Sequence, residues 1–326
     1  MRSVRLGRTG LKVTPICLGT MTFGNQADEA TAHEIMNRAL DGGVTFFDTA
    51  DVYPQGSEAV GRTEEIIGTW LPRHRQEIVL ATKCVGRMGT GANDAGANRR
   101  HIIAAVHASL RRLQTEWIDL YQLHSFDPST PLDETLRALD DLVRAGTIRY
   151  IGCSNFAAWQ LSKALGISER LVIARFDSIQ PRYNIIFREI EREILPLCTD
   201  QGVGVIVYNP LAGGLLTGKH PREEPLEGTR FAISDMYRER YWNTRNHEAV
   251  DRYADLARRD GIDPVTFAVS WVLTQPAVTS AIVGASRPEQ LAATLAAVDV
   301  RLDQQTLQEC DAIAAEMGYP YGAFVR

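Results

Sequence analysis

The sequence predicts an α/β fold, a (β/α)8 or TIM barrel, and three observations support this prediction. Short apolar runs alternate with longer amphipathic runs along nearly all of the 326 residues, as parallel strands joined by crossover helices do. Eight of the apolar runs are suited to strands, and eight strand–helix units close most naturally into a barrel. A chain of this length is typical of such barrels, and no linker divides it. We therefore expect residues 1–326 to form a single barrel domain.

The predicted strands are short apolar runs, several of which end in a polar residue. They cover residues 16–19, 45–48, 78–83, 118–124, 148–153, 178–180, 203–208 and 280–283. In the predicted helices, apolar residues recur every three or four positions. These helices cover residues 29–40, 57–70, 99–113, 132–144, 157–165, 190–200, 264–274, 288–297 and 304–317. Helix start signals are Ser57, Asp263 and Pro288 after Arg287, and stop signals are Gly42, Gly68 and Gly146.

Three segments depart from a bare barrel. Residues 5–15 place Gly7 and Gly10 in a short hairpin before the first barrel strand, where it would cap the bottom of the barrel. Residues 209–246 are rich in Gly, Pro and charge, and they are far longer than an ordinary strand–helix loop. We interpret this long segment as a lid over a binding site. After the last helix the chain has an aromatic end at 319–324.

Composition limits the class of protein. Hydrophobic residues make up 44% and charged residues 23%, which are ordinary values for a globular domain. The 35 Lys and Arg residues are outnumbered by 40 Asp and Glu, so the net charge of −5 argues against a nucleic-acid partner. No apolar run has the roughly 18 residues of a membrane helix, the start has no apolar leader, and the cysteines form no CxxC pair. We therefore expect a cytoplasmic protein with reduced cysteines, no membrane partner and no metal site.

Four polar side chains of catalytic types lie where predicted strands end. Asp48, Lys83 and His124 are the last residues of their strands, and Tyr53 follows Asp48 closely. In a barrel the carboxyl ends of the strands meet at one mouth, so the four groups should converge there. Taken singly, each is typical of a helix cap, a solvated amine or a hydrogen-bonded core residue.

Together the four residues have the properties of a proton-transfer site. A tyrosine with a pKa of about 10 donates a proton poorly at neutral pH unless a cation lowers that pKa, and Lys83 can serve as the cation. Asp48 would keep Lys83 charged and oriented, while the His124 imidazole could bond the oxygen of a carbonyl. The set predicts proton donation from Tyr53 to a bound carbonyl.

Reduction of a carbonyl also needs a hydride source, but the common nucleotide motifs are absent. The closest match to a GxGxxG fingerprint has Asp94 where its third Gly would stand. Residues 213–219 match GxxxxGK, but His220 replaces the Ser or Thr that binds Mg²⁺, which argues against an NTPase. The same Gly-rich turn, with Lys219, could wrap a diphosphate through backbone N–H groups.

Polar residues at other strand ends are candidates for the rest of a nicotinamide site. Ser286 and Arg287 precede the helix predicted to begin at Pro288, an arrangement that suits a ribose 2′-phosphate and is equally compatible with a plain turn. Amide-binding side chains and one flat aromatic face occur at further strand ends, in Ser154, Asn155, Gln180 and Tyr208.

Seven segments in order resemble the aldo-keto reductase superfamily over the whole chain. They are Gly-Thr-Met at 19–21, Phe-Asp-Thr-Ala-Asp-Val-Tyr at 47–53, Ala-Thr-Lys at 81–83, Asp-Leu-Tyr-Gln-Leu-His at 119–124, Ile-Gly-Cys-Ser-Asn-Phe at 151–156, Tyr-Asn-Pro-Leu-Ala-Gly-Gly-Leu-Leu-Thr-Gly-Lys at 208–219 and Gly-Ala-Ser-Arg-Pro-Glu-Gln at 284–290. The resemblance implies a barrel enzyme that reduces an aldehyde or ketone with NADPH. In it Tyr53 would be the general acid, Lys83 and Asp48 would tune it, and His124 would orient the carbonyl. The Tyr-Asn-Pro-Leu segment looks like the bacterial and potassium-channel β-subunit branch.

The resemblance also implies the cofactor contacts. Residues 154, 155 and 180 would hold the carboxamide, residue 208 would stack on the nicotinamide, residues 209–219 would clasp the pyrophosphate, and residues 284–290 would hold the adenosine end. The implied cofactor residues are Gly19, Thr20, Met21, Asp48, Ser154, Asn155, Gln180, Tyr208, Asn209, Pro210, Leu211, Ala212, Gly213, Gly214, Lys219, Arg230, Gly284, Ser286, Arg287 and Gln290. The chain departs from the family in one respect. Ala293 and Thr294 stand where members usually carry an acidic residue and an Asn for the adenine amino group.

Two other functions stay open from the sequence. A regulatory protein that senses the NADPH redox state would keep the cofactor site and turn over slowly. An aldolase-like barrel would use Lys83 as a Schiff-base amine. The sequence sets neither the physiological substrate nor the oligomeric state, and a homo-oligomer is compatible with it. A partly apolar mouth is predicted from Met21, Phe23, Tyr53, Met88 and Phe126.

Overall fold

Eight parallel strands close into a barrel in the computed structural model, which describes residues 1–54 and 59–318. The barrel strands are β3 (Ile16–Gly19), β4 (Phe46–Asp48), β5 (Val79–Cys84), β6 (Ile118–Leu123), β7 (Ile148–Ser154), β8 (Ser178–Gln180), β9 (Gly204–Val207) and β10 (Val278–Gly284). Each strand pairs with the next along the chain, and β10 closes the ring by pairing with β3. The predicted fold is confirmed. Two strands, β3 and β8, have the predicted bounds, and the ends of the other six differ from the predicted ones by at most two residues.

Twelve α-helices are found in the described residues. They are α1 (Glu29–Asp41), α2 (Arg62–Trp70), α3 (Arg99–Leu113), α4 (Leu132–Arg144), α5 (Ala158–Leu171), α6 (Ile194–Gln201), α7 (Arg230–Ile233), α8 (Asp235–Tyr241), α9 (Thr244–Arg259), α10 (Pro264–Leu273), α11 (Leu291–Ala296) and α12 (Gln304–Glu316). Side-chain oxygens of capping residues accept the first free backbone N–H groups of five of them. These capping residues are Asp28, Asn98, Asn243, Asp263 and Asp303.

Several predicted helix bounds are wrong. Helix α2 begins at Arg62 after Gly61, whereas the predicted start at Ser57 lies outside the described residues, as does the aromatic end at 319–324. Gly68 does not stop α2 but lies inside it. A Cβ at Gly68 would lie 2.0 Å from the carbonyl oxygen of Arg112, so the missing side chain lets α2 pack closely on α3.

The region from 190 to 200 and the region after residue 287 are also less regular than predicted. A 3-10 turn at Glu189–Glu191 precedes α6, and another at Pro288–Gln290 precedes the short α11. Helix α5 continues to Leu171, beyond its predicted end. The long segment after β9 is not a plain loop, because it holds α7, α8 and the start of α9, none of which was predicted.

A short antiparallel hairpin closes the bottom of the barrel, as predicted. It consists of β1 (Val4–Arg5) and β2 (Lys12–Val13). Leu6 and Val13 are fully buried against the side chains that fill the barrel interior, including Phe46 and Leu120. The hairpin is therefore part of the core, and its burial contributes hydrophobic stabilisation to the barrel.

Two further findings concern the cysteines and the lengths of the helices. All five cysteines, Cys17, Cys84, Cys153, Cys198 and Cys310, are buried and form no disulfide, in agreement with the reduced state predicted for them. Within the described ranges, no helix is both long enough and apolar enough to span a bilayer.

The hairpin generates a stability prediction. Gly7 has a φ of +55°, and a Cβ there would lie 2.5 Å from the Gly202 carbonyl oxygen and 2.6 Å from the Gly204 nitrogen. Gly7→Ala should therefore lower the free energy of unfolding by roughly 2 kcal/mol or more, measured by urea denaturation. The control is Gly10→Ala in the same hairpin, where no heavy atom lies within 4 Å and the change should stay within about 0.5 kcal/mol. Equal effects of the two changes would contradict the hairpin's role as a packed cap.

Candidate active site

A buried ion pair lies at the floor of the barrel mouth. The Lys83 Nζ donates to the Asp48 Oδ2 at 2.5 Å and to the backbone carbonyl of Thr49 at 2.8 Å. The Lys83 side chain is fully buried and that of Asp48 is nearly so. Their strands, β4 and β5, are neighbours in the barrel, which brings the two strand ends together as predicted.

The second carboxylate oxygen of Asp48 is held by two amide side chains. The Gln180 Nε2 donates to the Asp48 Oδ1 at 2.8 Å and the Gln122 Nε2 donates to it at 3.1 Å. Both glutamines are buried. Asp48 thus accepts from a cation on one oxygen and from two neutral donors on the other, which satisfies a buried charge and fixes its orientation.

Tyr53 and His124 lie above this ion pair. The Lys83 Nζ is 5.4 Å from the centroid of the Tyr53 ring, and the Tyr53 and His124 rings meet edge to face with centroids 5.7 Å apart. The four predicted catalytic side chains therefore converge. A phenol, an imidazole and an ammonium–carboxylate pair at one site can position and protonate a small polar group.

The electrostatics of the four groups differ in one respect from the sequence prediction. Burial is the larger influence on the Tyr53 phenol and raises its pKa, while the Lys83 charge acts in the opposite direction and only reduces the shift. The prediction that Lys83 lowers the pKa of Tyr53 is right for the direction of the Lys83 effect but wrong for the outcome, because burial leaves the pKa raised.

The two basic groups respond to burial differently. Burial is the largest single influence and disfavours the Lys83 ammonium, but the Asp48 carboxylate together with the nearby Tyr53 and Cys17 outweighs it, so the pKa of Lys83 is raised. For His124, burial and then the Lys83 charge both disfavour protonation and lower its pKa to about 3. At neutral pH the site therefore holds a charged Lys83, a neutral His124 and a protonated Tyr53.

A ring of hydrogen bonds joins the neighbouring strand ends. The Asn155 Nδ2 donates to the His124 carbonyl at 3.0 Å, and the Asn155 Oδ1 accepts from the Tyr208 hydroxyl at 2.8 Å. The Ser154 hydroxyl donates to the Gln180 carbonyl at 2.7 Å. Asn155 has a φ of +56°, a conformation that Asn tolerates better than most residues. These bonds fix the mouth between β6 and β9.

One large cavity opens at this end of the barrel. Its volume is about 1290 Å³, above the roughly 300–1,000 Å³ of sites for one drug-sized ligand. Asp48, Tyr53 and His124 line it, while Lys83 lies beneath it. Of the residues predicted to hold a cofactor, all but one line the cavity. They are Gly19, Thr20, Met21, Asp48, Ser154, Asn155, Gln180, Tyr208, Asn209, Pro210, Leu211, Gly213, Gly214, Lys219, Arg230, Gly284, Ser286, Arg287 and Gln290.

Ala212 is the exception, because its side chain is fully buried in the core and does not line the cavity. The rest of the turn fits a phosphate-bearing ligand. Gly213 and Gly214 have φ values of +73° and +111°, and a Cβ at Gly214 would find only the His220 Nε2, at 3.8 Å. The Asn209 Nδ2 is buried with no hydrogen-bond partner, so it is available to a ligand. Backbone N–H groups that no side chain covers, and a side-chain amide without a partner, can all donate hydrogen bonds to a diphosphate.

The other end of the cavity is formed by residues 284–290. The Gln290 Oε1 accepts from the backbone nitrogen of Ser286 at 2.8 Å and from that of Arg287 at 3.3 Å, which shapes the turn. Gly284 has no side chain, and a Cβ there would lie 3.3 Å from the Arg230 Nη2. Arg287 is exposed. Two arginines therefore face one end of the cavity, as a dinucleotide with an extra phosphate would need.

Some functional residues were missed by sequence reasoning. Gln122 lies in β6, two positions before His124, which directly follows the strand. This period-two spacing puts both side chains on the inner side of the barrel, where Gln122 bonds Asp48 and His124 lines the cavity. Tyr237 lines the cavity from α8, which was not predicted. The predicted mouth is only partly right. Met21 and Tyr53 line the cavity, but the three other predicted residues do not: Phe23, Met88 and Phe126.

Comparison with known proteins identifies the class. The chain is 41% identical over 316 residues, 94% of each chain, to a Bacillus subtilis protein named "Uncharacterized oxidoreductase YrpG". It is 35% identical over 335 residues to the versiconal hemiacetal acetate reductase of Aspergillus parasiticus, covering 94% of this chain and 95% of that one. It is also 38% identical over 315 residues, 92% of each chain, to a probable voltage-gated potassium channel subunit beta of Arabidopsis thaliana. Two of these names denote oxidoreductases.

The family follows from the match to a sequence-family model. The model of the "Aldo/keto reductase family" matches residues 15–315, and the chain belongs to this family. Members bind NAD(P)H and act on small carbonyl compounds. The protein is therefore an oxidoreductase that uses a nicotinamide cofactor.

The neutral imidazole generates a prediction about pH. The pKa of His124 is about 3 in the folded protein, against 6.5 for a free imidazole, so below pH 6.5 the unfolded chain binds a proton that the folded chain does not. The stability that His124 contributes is thus complete above pH 6.5 and is lost as the pH falls towards 3. His124→Gln should flatten the fall in the free energy of unfolding between pH 6.5 and 4, measured by urea denaturation. An unchanged slope would show that His124 titrates normally.

Proposed function

We propose that the protein reduces aldehydes or ketones to alcohols with NADPH, and that Tyr53 donates the proton. The observation that carries this proposal is the convergence of Tyr53 and His124 above the buried Lys83–Asp48 pair, at one end of a cavity large enough for a dinucleotide. The product would form when a hydride reaches the carbonyl carbon and the phenol proton reaches the carbonyl oxygen. Bound NADPH supplies the hydride.

Tyr53 would act as the general acid of this reaction. Because its pKa is raised, the phenol is protonated at neutral pH and is ready to donate. Lys83 lies beside the ring and stabilises the phenolate that donation leaves behind. Asp48 keeps Lys83 charged. The reverse reaction needs the phenolate, so alkaline pH would favour alcohol oxidation.

His124 would orient the substrate. A neutral imidazole can donate a hydrogen bond to a carbonyl oxygen without placing a second full charge beside Lys83. Its edge contact with the Tyr53 ring keeps the two groups on the same side of the cavity. The carbonyl oxygen would thus lie between a hydrogen-bond donor and a proton donor.

The other cavity residues would hold the cofactor. Ser154, Asn155 and Gln180 would bind the carboxamide. The side-chain Oε1 of Gln180 accepts from no residue in the described chain, whereas its backbone carbonyl accepts from Ser154. Tyr208 would stack on the nicotinamide, with its hydroxyl anchored to Asn155. Lys219 and the bare backbone of the turn after β9 would bind the pyrophosphate.

The preference for NADPH over NADH would come from the adenosine end. Arg287 and the Ser286 hydroxyl line that part of the cavity and suit a 2′-phosphate, which NADH lacks. The residues that line it nearby include Ala293 and Thr294. The Thr294 hydroxyl is already bonded to the Leu291 carbonyl at 2.9 Å. Binding there would therefore depend more on phosphate recognition than on the adenine amino group.

We also propose that residues 209–246 cover the cofactor. Arg230 and Tyr237 line the cavity from this segment, and the Gln26 Nε2 donates to the Gly228 carbonyl at 2.9 Å. The segment is thus attached to the loop after β3 as well as to β9. In this view residues 1–326 form one domain, and a reducing compartment such as the cytoplasm suits the buried thiols.

A redox-sensing regulatory subunit is the alternative function. The similarity to a plant protein named as a probable potassium channel subunit beta favours it. Such a protein would bind NADPH and turn over slowly. The rate of aldehyde reduction, measured with a panel of aldehydes, therefore distinguishes a regulatory subunit from a carbonyl reductase. A Schiff-base mechanism is disfavoured, because the raised pKa of Lys83 keeps its amine protonated.

The first test is Tyr53→Phe. This change removes the proton donor and leaves the cofactor contacts in place, so carbonyl reduction should fall by at least about 100-fold while NADPH binding is nearly unchanged. Turnover is followed by NADPH absorbance and binding by cofactor fluorescence. Turnover above a tenth of the wild-type rate would remove Tyr53 from the mechanism.

The second test is Arg287→Ala. If Arg287 binds the 2′-phosphate through charge-assisted bonds worth roughly 1.5 to 3 kcal/mol, the change should weaken NADPH about 10-fold or more and leave NADH nearly unaffected. The dissociation constants of both cofactors are measured for both proteins. Equal weakening of the two cofactors would mean that Arg287 does not read the phosphate.

A further inference from the structure

We propose that the preferred substrates are aldehydes that carry a carboxylate on an apolar body, and that Arg240 and Arg87 bind this carboxylate. The inference rests on the proposed carbonyl reduction and names the substrate class of the same site. It is carried by the distribution of charge along the cavity wall.

The charged side chains of the wall are divided between its two ends. At the end formed by the loops after β9 and β10, basic residues such as Arg287 are accompanied by three carboxylates, Glu227, Asp263 and Glu289. At the Tyr53 end, which the loops after β4 to β7 and helix α8 form, the described lining residues include Arg87 and Arg240 and no carboxylate other than Asp48. Asp48 is neutralised by Lys83. The substrate end of the cavity is therefore positively charged.

Arg240 is available to a ligand. It lies in α8 three positions after Tyr237, so both point from the same face of the helix towards the cavity. It is exposed and forms no ion pair with any residue in the described chain. Its charge is close enough to Tyr208 to lower the pKa of that phenol against the larger, upward effect of burial. Tyr208 and Tyr237 in turn both influence the pKa of Tyr53.

Arg87 reaches the same region from another direction. It lies on the loop after β5, four positions beyond Lys83, and lines the cavity. Its Nη1 donates to the carbonyls of Gly89 at 3.2 Å and Gly91 at 3.0 Å. These bonds fix the guanidinium, and no carboxylate among the described residues pairs with it. The other nitrogens are free to donate to an anion, in the fork geometry that suits a carboxylate.

Apolar side chains also line the cavity in the same segments that carry Tyr53, Arg87 and Arg240. Val52, Val60, Val85 and Met236 all line the cavity, and Val60 and Met236 are exposed. An aliphatic or aromatic body would cover them and gain the free energy of apolar burial. Covering them would also exclude water from the guanidinium groups, which strengthens their attraction for an anion.

The test compares two aldehydes that differ only in charge. The probes are 4-carboxybenzaldehyde and its neutral methyl ester, methyl 4-formylbenzoate, with kcat/KM measured for each by NADPH absorbance. We expect wild type to prefer the carboxylate. Arg240→Gln should reduce this preference about tenfold, which corresponds to the loss of about 1.4 kcal/mol, and Arg87→Gln should reduce it in the same direction. Arg240→Lys, which keeps the charge, should retain part of the preference.

The control is Arg238→Gln, which removes the same charge from the same helix at a residue that does not line the cavity. It should leave the preference as in wild type. If wild type reduces the ester as well as the carboxylate, or if Arg238→Gln and Arg240→Gln have equal effects, the inference is overturned and the proposed reduction stands. If wild type reduces neither aldehyde, both are overturned.

Discussion

The buried ion pair between Lys83 and Asp48 is the interaction on which the rest of the site depends. Two opposite charges inside a barrel are costly to desolvate, and they are tolerated here because each atom has partners. The loss of either partner would leave an uncompensated charge, with a cost of roughly 3–5 kcal/mol. The pair therefore constrains the fold and the chemistry together. It holds the ends of β4 and β5 in one arrangement and gives the mouth a fixed positive group next to Tyr53.

The protonation states of the neighbouring residues follow from this pair and from burial. Lys83 stays charged because Asp48 and the other neighbouring groups together outweigh desolvation. The Lys83 charge then adds to burial in keeping His124 neutral. Tyr53 stays protonated because burial outweighs the attraction of Lys83 for a phenolate. A small carbonyl oxygen placed here would meet one acid and one neutral donor. The same features that make the site costly to fold are those that suit it to protonating a carbonyl.

Much of the fold and of the catalytic centre could be predicted from the sequence, because the signals are local. Eight apolar runs and their polar ends gave the strands, and the rule that strand ends share one mouth brought Asp48, Lys83 and His124 together. What the sequence did not predict depends on tertiary context. A glycine is a typical signal for the end of a helix, but Gly68 lies inside α2, where its missing side chain allows α2 and α3 to pack closely. The net pKa of Tyr53 depends on burial, which a motif does not encode.

The long segment after β9 illustrates the same limit at larger scale. Its Gly, Pro and charged residues predicted a loop, yet buried aromatic residues such as Phe231 and Tyr241 fold it into short helices against the barrel. Those helices bring Tyr237 and Arg240 to the cavity.

The central claim, that this site transfers a hydride to a carbonyl while Tyr53 supplies the proton, is tested most directly by isotope transfer. Wild-type protein is incubated with an aldehyde and NADPH carrying deuterium at both C4 positions, and the product is analysed by mass spectrometry. We predict an alcohol with one deuterium on the carbinol carbon. An alcohol without deuterium, or no alcohol with any aldehyde while NADPH remains tightly bound, would contradict the claim and favour a cofactor-sensing protein.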